Sequence, residues 1–160
     1  MAAGPTYTPI ATTTLGSAGT ITFSSIPSTY TDLRLVIIGT TASGTNLDLR
    51  FNSDTSTNYS YTQFSGSGSV TGGGIGSNIT FARLDYYGYF DTVIGNHIVD
   101  FMNYSNTTTY KTVLSRANNT NNGLAAVVAL WRSTAAINSI TTVTTLAIGT
   151  TATLYGIAAA

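Results

Sequence analysis

From Asn46 to Asn52 the chain reads Asn-Leu-Asp-Leu-Arg-Phe-Asn, with Leu47, Leu49 and Phe51 at one parity and only polar residues at the other. A period of two sends successive side chains to opposite faces of an extended backbone, so this segment predicts a strand with one buried face. The same alternation recurs from the N-terminal third to the end: Ile21 and Phe23, then Leu33, Leu35 and Ile37, Tyr59 through Phe64, Asn78 to Asp85, and His97 to Tyr104. Tyr110 to Arg116, Leu124 to Trp131, Ile137 to Leu146 and Thr151 to Ile157 complete the series. Two of these segments, Leu33–Ile38 and Leu124–Trp131, become apolar at both parities, as strands in the middle of a sheet do.

Composition excludes the helical alternatives. The 160 residues contain no Glu, one Lys and one Gln, against 31 Thr, 16 Ser and 12 Asn, so most strong helix formers are missing. Hydrophobic residues at 42% are too many for a disordered chain of zero net charge. Eight to ten short strands with Gly, Pro and Asn between them predict an all-β fold, an antiparallel β-sandwich, with a jelly roll as the expected version and an up-and-down barrel as second choice. The length suits one domain. Residues 15–160 are expected to form the sandwich and residues 1–14, with Pro5, Pro9 and a Thr-rich run, an extended N-terminal arm. The Ser-rich and Gly-rich stretch from Ser65 to Ser77 has little to bury and reads as a mobile surface loop.

The search for chemistry returns no catalytic, cofactor-binding or metal-binding set. There is no cysteine, hence no disulfide, thiolate or Cys-ligated metal. His97 is the sole histidine, without a nucleophile elbow around it, and reads as structural. Asp48 and Asp100 lie in strands, where pairing with Arg or Lys across the sheet is expected, and the other four Asp read as turn or strand-end residues. Asn52-Ser53-Asp54 superficially suggests the start of a calcium loop, but without any Glu for the bidentate ligand an Asx turn is the better reading. Five Arg and one Lys, scattered singly, give no basic stripe for nucleic acid, and the longest apolar run, Leu124 to Trp131, is far too short for a helical membrane span. No signal-peptide pattern opens the sequence, so a product made in the cytoplasm is expected. What remains is a surface of hydroxyls, amides and tyrosines, suited to recognition or to subunit contacts.

Three ordered stretches carry a family likeness. They are Arg50-Phe51-Asn52-Ser53-Asp54 with Asn58-Tyr59-Ser60; Tyr104-Ser105-Asn106 through Tyr110-Lys111-Thr112; and Trp131-Arg132-Ser133-Thr134-Ala135-Ala136-Ile137-Asn138-Ser139-Ile140 with Leu154-Tyr155-Gly156-Ile157. Over about Phe23 to Ile157 the chain resembles small structural proteins encoded by tailed bacteriophages, described as tail-fibre-like or virion proteins. The resemblance implies a β-sandwich on the exterior of a phage virion, without catalytic residues and commonly trimeric. It implies either a capsid decoration (cement) protein whose partners are the major capsid protein and its own copies in a homotrimer, or a tail-fibre or head-fibre tip that recognises a host-surface glycan. The short segment before the first strand favours cement, with Tyr7, Pro9 and Ile10 as candidate capsid-binding arm residues. Among the shared residues, Arg50 is expected to pair with Asp48 or Asp100, Phe51 and Trp131 to anchor the core or an interface, and Tyr155 to pack over the backbone at Gly156.

Overall fold

A computed structural model describes residues 6–86, 90–121 and 123–158. Among the described residues there are twelve strands and no helix. In chain order they are β1 (Tyr7–Thr14), β2 (Thr22–Phe23), β3 (Asp32–Gly39), β4 (Asp48–Phe51), β5 (Tyr59–Gly66) and β6 (Thr71–Ile79), followed by β7 (Ala82–Arg83), β8 (Gly95–Met102), β9 (Lys111–Asn119), β10 (Gly123–Trp131), β11 (Ile140–Thr142) and β12 (Thr151–Ile157). They form an eight-stranded sheet of order β1-β12-β3-β8-β9-β10-β5-β6 and a four-stranded sheet of order β2-β11-β4-β7. All pairings are antiparallel. The expected all-β sandwich is the fold. Its strands are split eight and four, with β8, β9 and β10 running as a meander through the middle of the large sheet, which is not the even division of a jelly roll.

The core is the contact between the two sheets. Leu33, Leu35, Ile37, Phe101, Val113 and Trp131 project from the large sheet onto Phe23, Leu49, Phe51 and Ile140 of the small one, all buried. Phe51 sits at the centre, edge-on to Phe101 (5.7 Å between centroids) and to Trp131 (5.6 Å), with Trp131 stacked on Tyr59 at 6.2 Å. Each such aromatic contact adds about 0.5–1.5 kcal/mol beyond the area it buries. The only lysine, Lys111, is 1% exposed at the start of β9. Its Nζ donates to the carbonyls of Thr109 (2.7 Å) and Thr134 (3.3 Å), so it adds no charge to the surface.

Two sequence expectations give way here. Residues 7–14 are not an arm apart from the domain: β1 pairs with β12 from Tyr7↔Ile157 to Thr14↔Thr151, with a bulge at Ile10, and Ile10 packs against the core. The period-two signal was hidden because threonines fill both faces of this edge strand. The stretch read as a mobile loop is mostly strand β6, paired with β5 from Thr71 to Ser77 and again at Ile79, with a bulge at Asn78. Its inward positions Gly72, Gly74 and Gly76 leave room for β5 side chains to lie flat across them. A Cβ at Gly76 would stand 2.3 Å from the Tyr61 ring, and one at Gly74 2.9 Å from Gln63 Nε2. The neighbouring strand supplies the burial that these glycines lack.

Candidate functional site

The small sheet covers the inner face of the large one; the outer face stays open. The outward residues of β9 are Thr112, Leu114, Arg116 and Asn118, and those of β10 are Leu124, Ala126, Val128 and Leu130. Register places Leu114 beside Val128, Val128 beside Thr62 and Thr62 beside Ile75, giving one row across β9, β10, β5 and β6. Along it and its neighbours, Ile75 is 81% exposed, Phe64 69%, Leu124 60%, Met102 55% and Val128 46%. This explains the strand that looked apolar at both parities: β10 is central within its sheet, yet one face meets solvent. A shallow groove of about 380 Å³ runs between Val128 and Leu130 on one side and Ile75 on the other, floored by Ser60, Thr62 and Ser77.

Charge on this face is confined to its borders. Asp100 on β8 accepts from Arg34 Nε at 2.6 Å and from Arg116 Nη2 at 3.3 Å, drawing Arg116 toward β8. Its hydrogen bond and charge raise the Arg34 pKa above the ordinary value, against a smaller opposing effect of burial. Arg34 also donates to the Tyr7 hydroxyl (2.9 Å) and lies 5.2 Å from that ring's centre, while Tyr7 meets Tyr155 edge-on at 6.5 Å. At another border Arg132 donates to Ser60 Oγ, to the Thr57 carbonyl and to Asn78 Oδ1. An apolar centre with ion pairs and polar groups around it is the anatomy of a protein–protein interface.

The sequence-expected residues fall in three places. Phe51 and Trp131 are core anchors, both buried. Tyr7 and Pro9 are exposed and Ile10 half-buried, all within β1 on the sheet. Arg50 and Tyr155 take roles other than those expected. Asp48 pairs with Arg83 through two 3.0 Å contacts and Asp100 with Arg34 and Arg116, so Arg50 donates to the Thr80 carbonyl instead (3.1 Å). The ring over Gly156 belongs to Tyr30, whose atoms lie 2.4–2.5 Å from where a Cβ would stand, while Tyr155 packs on Tyr7. The Asn52-Ser53-Asp54 stretch is a turn with positive φ at Asn52 and Ser53, and the Asp54 carboxylate accepts from Ser56 N–H, Asn58 and Trp131.

Sequence reading missed one buried polar assembly. His97 Nε2 lies 2.5 Å from Asp85 Oδ2, both fully buried. Asp85 Oδ2 also accepts from Leu47 N–H at 2.9 Å. The Asn46 amide, oriented with its nitrogen toward Asp85 Oδ1 (3.2 Å), accepts from Arg83 Nη1 (3.2 Å), which links the pair to the Arg83–Asp48 ion pair. With Asp85 as acceptor, His97 carries a proton on Nε2 and its Nδ1 is left without a hydrogen-bond partner. Ser115 Oγ, also unpartnered, lies diagonally across from His97 on the inner face of β9. A Ser, His and Asp thus share a neighbourhood, but all three are 0% exposed and Phe90 is packed on the imidazole at 4.6 Å. With that burial, the pair's evident work is to join β8 to the segments before β4 and after β7. Residues 85 and 97 are 12 apart with no regular spacing between them, so no sequence pattern marks the pair.

No protein-family model matches the chain, and no curated protein matches it. Among solved structures, a protein of unknown function from Shewanella oneidensis MR-1 aligns over 96% of this chain and 77% of its own, at 12% identity and a TM-score of 0.22, a likeness too slight to carry an argument.

Proposed function

We propose that this chain is a structural protein of a bacteriophage virion, a capsid decoration protein that sits on the outer shell as a homotrimer. The observation that supports it best is the open, uncharged sheet face. A chain that leaves Phe64, Ile75, Leu124 and Val128 in solvent on one surface is built to be covered, and assembly components are covered by their neighbours. The resemblance of the three ordered stretches to small phage structural proteins supports the class of assembly. With so few charges, contact with the shell rests on apolar surface and backbone hydrogen bonds, so its strength depends only weakly on ionic strength. The test is imaging of labelled protein on phage particles. Label over the whole shell supports the proposal; label only at the tail or a vertex, or only on host cells, replaces it with the fibre-tip reading and a glycan partner.

A further inference from the structure

The open face has a particular occupant. We infer that the outer surface of β9, β10, β5 and β6 is covered by the same surface of a second copy of this chain; the inference rests on the assembly reading above and adds to it a twofold contact between copies, beside the threefold contacts that close a trimer.

Three observations carry it. The first is size. Strands spaced about 4.8 Å apart and rising about 3.3 Å per residue give the four strands β9, β10, β5 and β6 a face of roughly 19 by 26 Å, or ~500 Å² on each copy and ~1,000 Å² between two, the size at which a specific interface begins.

The second is shape. Phe64 on β5 and Leu124 on β10 form an exposed apolar ridge: Phe64 pairs with Ala126 and Leu124 with Gly66, so the two lie diagonally adjacent. The groove between Val128, Leu130 and Ile75 lies on the same face, a few residues along the same strands. One chain therefore carries both a ridge and an apolar groove to receive one, and a second copy supplies each with its counterpart. Two sheets meeting this way pack with interdigitating side chains about 10 Å apart.

The third is charge. Arg116 is held by Asp100 and Arg132 by Ser60, Thr57 and Asn78, so the centre presents no carboxylate or ammonium to select a charged partner. Identical uncharged faces meet without repulsion, and the ion pairs remain at the rim, where they stay hydrated.

The test is the mass of the purified full-length chain in solution, by sedimentation velocity or light scattering across a dilution series. The expected result is the mass of two or more 16.7 kDa chains. Phe64→Asp and Val128→Asp should each weaken association by about thirtyfold, as at a buried anchor, with an unchanged far-UV spectrum. Ile148→Asp, on an exposed residue outside this face, should leave the mass unchanged. A wild-type chain monomeric at every concentration overturns the inference, as do folded Phe64 and Val128 variants that keep the wild-type mass. Should an Asp variant misfold, Leu124→Ser and Phe64→Ser read the same contact. A multimer that does not bind capsids overturns the decoration reading and leaves the contact between copies standing.

Discussion

Trp131 Nε1 donates to Asp54 Oδ2 at 2.7 Å, tying the last residue of β10 to the turn that follows β4. This bond joins the large sheet to the small one at the point where the aromatic core ends. Asp54 is further held by Ser56 N–H and Asn58 Nδ2, and Tyr59 accepts from Phe51 N–H beside it. Burial alone would push the Asp54 carboxyl up, but hydrogen bonds from Trp131, Ser56 and Asn58 together outweigh it and hold the group at about 2.

The pH dependence follows from that depressed value. Asp54 contributes stability that is fully present above the unfolded carboxyl value of about 4 and is lost as pH falls through about 2. Asp54→Asn should therefore flatten the fall in stability over this window, measured by urea denaturation at a series of acidic pH values. Trp131→Phe should remove the same bond at a cost of about 1.5–3 kcal/mol at neutral pH.

The buried His97–Asp85 pair is expected to be structural. His97→Leu leaves the Asp85 carboxylate enclosed without its imidazole and should cost about 3–5 kcal/mol in equilibrium unfolding. Adding Asp85→Leu should cost much less than a second independent loss, with a coupling energy of about 0.5–3 kcal/mol. Strict additivity of the two substitutions would show that the 2.5 Å contact contributes nothing.

Gly156→Ala tests the Tyr30 packing. The added methyl would fall 2.4 Å from the ring, so Tyr30 must leave its site, at an expected cost of about 1–3 kcal/mol in thermal or chemical unfolding. Gly16→Ala, where nothing lies within 4 Å, should change stability by no more than about 0.5 kcal/mol.

Removal of residues 1–14 takes away β1 and uncovers the edge of β12. The truncated chain should melt about 4–8 °C lower, corresponding to a loss of ~2 kcal/mol, and should aggregate more readily through the exposed edge. A truncated protein with an unchanged melting temperature would mean that β1 is an attached arm after all.

How far the sequence spoke depended on whether each signal was local. Leu47, Leu49 and Phe51 alternate cleanly, and their strand and its burial appear where the period placed them. Phe51 and Trp131 are anchors for the same reason: large apolar residues on patterned strands. β6 was illegible because its inward positions are glycines, and what makes it a strand is Tyr61 and Gln63 on β5 lying across them. β1 pairs with a strand some 140 residues away, and Arg50 loses its expected carboxylates to Arg83, Arg34 and Arg116, choices that only the three-dimensional register determines. The open face left a trace in the sequence, as the two-sided apolar character of β10, but apolar at both parities also describes a strand covered on both sides.

Whether this sandwich belongs to the outside of a capsid, as proposed, is decided by co-sedimentation of the purified chain with emptied phage capsids. The expected result is saturable binding distributed over the shell, little weakened as salt rises from about 0.1 M to 1 M, because few charges are available to screen. Absence of binding to the shell, or binding confined to tails, would contradict it.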